Sequence, residues 1–178
     1  MQKISVYGIG NFGFALLKHL GKRQAIRRDF TLYGYDNNRD LLDYLRTRRM
    51  HLLHHKNIKI SKSVIFPDSS EELIANTDIL ILAVPSDAIK QVIANLKPHV
   101  NREVIVVNTA KALDAETGLR FSVVISECLK DIRYPFSVAM FAGGTIARDL
   151  VNHEPLGADI ASRSKRTLKI LKDIFTMD

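Results

Sequence analysis

The stretch that decides the fold spans residues 4–13 and reads Ile-Ser-Val-Tyr-Gly-Ile-Gly-Asn-Phe-Gly. Its first four residues form an apolar-rich run that is typical of a short buried strand. The pattern G-x-G-x-x-G begins directly after them. Residues 12–20 then carry apolar side chains at helical spacing, with Gly21 as the expected C-cap of that helix. A strand, a glycine-rich turn and a helix in this order are typical of nucleotide-binding α/β units.

Each glycine of this turn has a physical role in such a unit. Gly8 permits the tight turn, Gly10 lets the backbone approach a pyrophosphate, and Gly13 lets the helix pack closely on the strand. The start of the helix also offers unpaired N–H groups and the positive end of its dipole to phosphates. We therefore predict that a dinucleotide contacts Gly8, Gly10, Asn11, Phe12 and Gly13.

An acidic residue follows the second predicted strand. Residues 30–33 predict that strand, and Asp36 lies just beyond it, about twenty residues after the glycine turn. A carboxylate at this position accepts hydrogen bonds from the adenosine ribose. It also repels a ribose 2′-phosphate, which favours NAD over NADP, whereas the nearby Arg39 weakens that preference. The expected cofactor is therefore NAD (or NADP), with Asp36 among its contacts.

The rest of the chain alternates between strand-like and helix-like segments. Strands are predicted at residues 58–60, 64–66, 78–84, 104–107, 136–141 and 156–160. Helices are predicted after an Asn37 or Asn38 cap, after Ser69 or Ser70, from a Ser86 cap to Pro98, and over residues 116–129, 145–151 and 163–175. Such alternation implies right-handed crossovers. We predict one α/β domain over residues 1–178, a Rossmann-type doubly wound, mostly parallel sheet with helices on both faces.

The composition is that of a globular protein with an anionic partner. Hydrophobic residues make up 46% and charged residues 25%, which excludes a disordered chain. A net charge of +7 favours an anionic ligand such as a dinucleotide or a phosphorylated small molecule. The apolar run at residues 79–84 is too short for membrane insertion, and we expect no secretory leader. The single cysteine, Cys128, excludes an internal disulfide and agrees with a cytoplasmic location.

Positive charge is most concentrated at residues 46–56. This stretch holds Arg46, Arg48, Arg49, His51, His54, His55 and Lys56. It lacks the interleaved aromatic residues of a single-strand binder, so we expect no nucleic-acid partner. No carboxylate or cysteine accompanies the histidines, so we expect no metal site. We interpret the stretch as a solvated helix end and loop.

Two later segments bear on the chemistry. Lys111 follows the strand predicted at residues 104–107, so it lies at the carboxyl edge of the sheet, where ligands of such folds bind. Residues 142–150 read Ala-Gly-Gly-Thr-Ile-Ala-Arg-Asp-Leu and open a second glycine-led helix. Both segments are therefore candidates for contact with the substrate.

Taken together, these segments resemble the NAD(P)-dependent glycerol-3-phosphate dehydrogenase family over nearly the whole chain. The similarity covers the glycine turn and residues 32–36, 83–86, 109–118 and 143–149. It implies cofactor contacts at Tyr35, Pro85, Lys111 and Ala147, and substrate contacts at Lys111, Gly143 and Thr145. The chain departs from the family pattern at Ala112 and Gly144, and the Asn-x-x-Tyr-Leu-Pro motif has no match at residues 49–59.

The family resemblance also implies a reaction. Hydride transfer between the nicotinamide C4 and the C2 of dihydroxyacetone phosphate gives sn-glycerol 3-phosphate, a precursor in glycerol phospholipid metabolism. Lys111 is then catalytic, as a fixed cation where negative charge develops on the ketone oxygen. The family's base lysine and remaining substrate ligands lie in a helical domain that follows this half. We expect residues 1–178 to lack that domain and to turn over little alone.

Three questions stay open at this point. A related two-domain hydroxy-acid or sugar-acid dehydrogenase would keep the fold, although such sites usually lack the pairing of Lys111 with Gly-x-Thr. A non-catalytic NAD(P) sensor or regulatory module is the second alternative, and the coding sequence beyond Asp178 distinguishes it from an enzyme. The oligomeric state is also undecided, with a homodimer as one option.

Overall fold

A computed structural model describes residues 1–176 of the chain. The strands are β1 (Gln2–Tyr7), β2 (Phe30–Tyr35), β3 (Ile79–Leu82), β4 (Val104–Asn108), β5 (Phe136–Ala142) and β6 (Asp159–Ser162). They form one sheet in the order β2-β1-β3-β4-β5-β6. The first five strands pair in parallel, and β6 pairs with β5 in the antiparallel sense. The predicted Rossmann-type, mostly parallel sheet is therefore confirmed.

Seven α-helices accompany the sheet in the described part of the chain. They are α1 (Asn11–Arg27), α2 (Arg39–Arg48), α3 (Ser70–Ala75), α4 (Ile89–Leu96), α5 (Phe121–Leu129), α6 (Ala147–Val151) and α7 (Lys165–Phe175). α1 packs against α6 and α7, while α4 packs against α3 and α5. The two groups follow from the strand order, because right-handed crossovers on either side of β1 place their helices on opposite faces.

Local sequence determines where three of these helices begin. The side chain of Asn38 accepts a hydrogen bond from the N–H of Leu41, and Ser69 caps α3 in the same way. Ser164 caps α7. These oxygens satisfy N–H groups that the first helical turn leaves unpaired. The caps predicted for α2 and α3 are confirmed.

The central strands are apolar along their whole length because both faces are covered. All residues of β3 and β4 are buried, as is typical of parallel strands between two helical layers. Ile4 and Val6 of β1 are fully buried beside them. Within residues 1–176, no helix combines the length and the apolar character needed to cross a bilayer.

The prediction that Gly21 ends the first helix was wrong. α1 continues to Arg27, and its C-cap is Arg28, in the left-handed region at φ 53°. Gly21 is buried inside the helix, where a Cβ would lie 3.1 Å from the Cβ of Ser61. The helix continues because the buried side chain of Arg23, in its last turns, pairs with Asp29 and Asp173, which a local pattern cannot reveal.

Other predictions of where elements lie were also wrong. The strands expected at residues 58–60 and 64–66 reduce to one parallel bridge between Tyr33 and Ile65, because left-handed residues precede it and Pro67 follows. The helix expected from residue 116 begins at Phe121, since residues 114–118 form a turn. Ser86 starts a short 3₁₀ turn and caps no helix with its side chain. The last strand begins at Asp159 rather than at residue 156.

Candidate functional site

The glycine turn lies at the point where the strand order reverses. β1 has β2 on one side and β3 on the other, and ligands of such sheets bind in the crevice outside that point. Gly8 adopts φ 92°, and its N–H donates to the carbonyl of Tyr35 at 2.8 Å. A Cβ there would lie 2.7 Å from Val84 Cγ1 and 2.8 Å from Ala83 O. This position therefore requires glycine for both conformation and space.

The open space beside Gly10 and the start of α1, here called the cradle, leaves room for an anion. A Cβ on Gly13 would lie 1.9 Å from the carbonyl oxygen of Gly8, so the start of α1 packs directly on the turn. A Cβ on Gly10 would meet no heavy atom within 4 Å, and no side chain caps α1. The first N–H groups of α1 therefore face open space, where an anion is favoured. The predicted positions Asn11 and Phe12 form this first turn.

Asp36 lies beside the glycine turn, as predicted. Its Oδ2 accepts from the N–H of Ile9 at 2.7 Å, and its Oδ1 accepts from the N–H of Asn38 at 2.9 Å. Each carboxylate oxygen keeps a further acceptor site, which suits a ribose hydroxyl. The guanidinium of Arg39 donates to the carbonyl of Asp68. The side chain of Arg39 is therefore hydrogen-bonded to the segment that precedes α3.

Tyr35 takes part through its backbone. Its ring is 5% exposed and lies 5.3 Å from the ring of Tyr7, while its carbonyl holds Gly8. Burial raises the pKa of the Tyr7 phenol, which donates to the side-chain oxygen of Asn37. The two tyrosines thus hold the ends of β1 and β2 together next to the glycine turn.

The three residues expected to contact substrate are brought together. Lys111 Nζ donates to the carbonyl of Gly143 at 2.9 Å and to that of Thr145 at 3.3 Å. Thr145 is 7% exposed, and its Oγ1 has no hydrogen-bond partner among the described residues. A buried hydroxyl without a partner costs roughly 1–3 kcal/mol, so this atom is suited to bind an incoming polar group.

A hydrogen-bonded turn supports the loop that carries Lys111. Asp114 accepts from the N–H and the hydroxyl of Thr117, and Lys90 lies 2.9 Å from the same carboxylate. The hydrogen bond from Thr117, together with Lys90, lowers the pKa of Asp114. This carboxylate therefore stays ionised and fixes the segment between β4 and α5.

The remaining predicted positions lie on the same edge of the sheet. Ala147 is the first residue of α6 and is 8% exposed, and Pro85 is exposed where the chain leaves β3. The ring of Phe12 lies 6.3 Å from that of Phe141 on β5. This contact joins the glycine turn to the strand that leads to Gly143 and Thr145.

Sequence reasoning missed one residue at the site, which is His51. We interpreted residues 46–56 as a solvated basic stretch, but His51 is 6% exposed and contacts the carbonyl of Ile9 in the glycine turn. Burial lowers the pKa of its imidazole. No local pattern marks this residue, because its partner lies 42 positions away.

The turn at the switch point, the open start of α1 and the acid after β2 define a dinucleotide-binding α/β domain. A family model described as NAD-dependent glycerol-3-phosphate dehydrogenase N-terminus matches residues 3–168. The chain therefore belongs to this family, as the sequence resemblance predicted.

Individual relatives agree with this assignment. A glycerol-3-phosphate dehydrogenase [NAD(P)+] of Fusobacterium nucleatum is 31% identical over 98% of this chain and 50% of its own length. Its counterpart in a Thermoanaerobacter species is 29% identical over 98% and 49%. The chain thus spans about half the length of the curated relatives that it matches. These relatives use NAD(P), in agreement with the predicted cofactor.

Solved structures show the same fold. Glycerol-3-phosphate dehydrogenase of Plasmodium falciparum superposes with a TM-score of 0.86 at 20% identity, over 99% of this chain and 50% of that one. The enzyme of Saccharomyces cerevisiae gives a TM-score of 0.85 at 17% identity, over 99% and 54%.

Proposed function

We propose that this chain is the nucleotide-binding half of an enzyme that interconverts dihydroxyacetone phosphate and sn-glycerol 3-phosphate with NAD(P)H. The observation that carries the proposal is the contact of Lys111 Nζ with the carbonyls of Gly143 and Thr145, on the sheet edge that also holds the glycine turn. This contact brings together the positions that the family resemblance implies for substrate binding. They lie on the same edge of the sheet as the glycine turn.

The residues of this half have distinct parts in the proposed reaction. A bound dihydronicotinamide supplies the hydride. The ammonium of Lys111 stabilises the negative charge that develops on the ketone oxygen, and the unpartnered hydroxyl of Thr145 binds a polar group of the substrate. We assign the proton donor to a helical domain in the half of the relatives that this chain does not cover, so we expect little turnover by residues 1–178 alone.

The cofactor of this half is proposed to be NAD in preference to NADP. The carboxylate of Asp36 lies beside the glycine turn, where a ribose 2′-phosphate would meet its charge. The nearest candidate to neutralise that phosphate, Arg39, is bonded to the carbonyl of Asp68. Both observations oppose a bound NADP.

The proposed substrate also fits the charge and cysteine content of the chain. The net charge of +7 favours a phosphorylated anion. The single, unpaired Cys128 is compatible with the reducing cytoplasm, in which we place the protein. We propose a homodimer of the complete protein as the first oligomeric state to test.

Calorimetry tests the proposal in two steps. NADH is first titrated into the 178-residue chain, and saturable binding is expected. Dihydroxyacetone phosphate is then titrated into that complex, with Lys111→Met as the variant and Lys130→Met, at an exposed position, as the control. Loss of a charged hydrogen bond predicts a roughly 10- to 100-fold weaker binding for Lys111→Met alone. Equal substrate affinity in both variants would refute the assigned role of Lys111.

A further inference from the structure

We propose that His51 is a positioning residue for the dinucleotide, which acts by fixing the backbone of the glycine turn. This inference rests on the proposed function, because it assumes that the turn binds a dinucleotide. His51 lies between α2 and α3, in the irregular segment at residues 49–66. Its effect is transmitted through the carbonyl of Ile9, the residue between Gly8 and Gly10.

The hydrogen bonds of His51 define its protonation state. Nδ1 accepts from the N–H groups of Leu53 and His54, at 2.9 and 3.0 Å. A nitrogen that accepts two N–H donors carries no proton, so the single proton of the neutral ring is on Nε2. Nε2 therefore donates to the carbonyl of Ile9 across 2.8 Å. The turn at residues 51–54 thus orients the ring so that its donor points at the glycine turn.

Ile9 is held from two sides. Its carbonyl accepts from His51, and its N–H donates to Asp36 at 2.7 Å. Its side chain is fully buried against Gly34, where a Cβ would lie 3.2 Å from Ile9 Cδ1. Both peptide planes around Ile9 are consequently fixed by partners outside the turn.

A second histidine reinforces this attachment at the start of α1. His55 Nε2 lies 3.1 Å from the carbonyl oxygen of Asn11, and its ring stacks on Phe14 at 5.7 Å between centroids. The ring of His51 packs edge-on against the same Phe14. The segment between α2 and α3 therefore contacts both the turn and the first turn of the helix.

Fixing Ile9 matters because glycines flank it on both sides. Glycine has more backbone freedom to lose than any other residue, so an untethered Gly-Ile-Gly turn would have to be ordered when the diphosphate binds. With the carbonyl of Ile9 held, the peptide N–H groups at Gly10 and the start of α1 already face the open cradle. Removal of one such hydrogen bond is expected to weaken binding by about 2- to 10-fold.

Two substitutions distinguish the role of Nε2 of His51 from the role of its Nδ1. In His51→Gln, the amide nitrogen reaches the position of Nε2 and can donate to Ile9. In His51→Asn, the shorter side chain places its oxygen near the position of Nδ1, where it can accept from Leu53 and His54 but cannot reach Ile9. His99→Asn makes the same change at an exposed histidine far from the turn and serves as the control.

The experiment measures NADH affinity by calorimetry and, in the free protein, hydrogen exchange at the amides of Gly8, Ile9 and Phe14, which are hydrogen-bonded around the turn. We expect His51→Asn to bind NADH about 2- to 10-fold more weakly and to exchange these amides faster, while His51→Gln and His99→Asn stay within about twofold of the original chain. Unchanged affinity and exchange in His51→Asn would overturn the proposal. So would equal losses in both His51 variants that follow their melting temperatures, since that result indicates general destabilisation.

The outcomes also separate this inference from the function on which it rests. If the unsubstituted chain binds neither NADH nor NADPH, the proposed function fails, and the role of His51 in cofactor binding fails with it. If the chain binds NADH and His51→Asn binds it equally well, only the role of His51 fails. Amide exchange decides in either case whether His51 holds the turn.

Discussion

Replacing Gly13 by alanine should damage the site more than any other single methyl group. The new Cβ would lie 1.9 Å from the carbonyl oxygen of Gly8, where ordinary contacts begin at 3.4 Å. The start of α1 and the turn must therefore separate by roughly 1–1.5 Å. The obstacle is backbone, so no side-chain rotation relieves it.

Two consequences of Gly13→Ala can be given a magnitude. Overpacking of this kind lowers the free energy of unfolding by about 1–3 kcal/mol. A misplacement of about 1 Å at a ligand site can change its performance about 100-fold, so we expect the NADH dissociation constant to rise by roughly that factor. Urea unfolding measures the first effect, and calorimetry with NADH measures the second.

Gly10→Ala is the matched control for this prediction. Gly10 has φ −74°, which alanine adopts without strain, and its Cβ would meet no heavy atom within 4 Å. The free energy of unfolding should therefore change little, while NADH binding should weaken because the methyl group occupies the space of the diphosphate. A Gly13→Ala chain that binds NADH normally would refute the reasoning. So would a Gly10→Ala chain that is destabilised as much as Gly13→Ala.

Three further predictions follow from other parts of the structure. Asp36→Ala should reduce the preference for NADH over NADPH, measured as the ratio of the two dissociation constants; an unchanged ratio would show that another group selects the ribose. Asn38→Ala removes the cap of α2 and should lower the free energy of unfolding by about 1 kcal/mol in urea, with the Asp40→Ala chain as control. Burial lowers the pKa of His19, His51 and His153 below 6.5, so the unfolded chain binds more protons than the folded one below that pH. The contribution of these histidines to the free energy of unfolding should be complete above pH 6.5 and should diminish as the pH falls. A chain with all three replaced should lose less free energy of unfolding between pH 7 and 5. An equal loss would contradict this assignment.

The parts of the site that could be predicted are those defined by short-range chemistry. The glycine pattern is complete within six consecutive residues, and Asp36 follows a recognisable strand. Asn38 and Ser69 cap helices that begin at the very next residue. In each case a short stretch of sequence is sufficient to recognise the feature, so the pattern itself carries the information.

The parts that could not be predicted depend on partners far away in the chain. Gly21 resembles a helix end locally, yet α1 continues because Arg23 reaches Asp173. His51 resembles a surface residue because its basic neighbours are exposed, and only the fold brings it to Ile9. The hydrogen bond between Lys111 and the carbonyl of Gly143 spans 32 positions; the predicted order of strands and helices marked both segments as candidates, but it could not show that these two residues are in contact.

The ion pairs of Arg23 have a consequence for how the molecule is assembled. Its side chain is 3% exposed, and its guanidinium joins Asp29, after α1, to Asp173 in α7. Without α7 this buried guanidinium would lose its hydrogen bonds to the carbonyl and the carboxylate of Asp173 and would keep only Asp29 as an ion-pair partner. The glycine turn is made first during synthesis, but the helix that carries it is completed by a residue 150 positions later. We therefore expect nascent chains that end before Asp173 to lack a stable dinucleotide site, and the domain to fold late on the ribosome rather than progressively from its N-terminus.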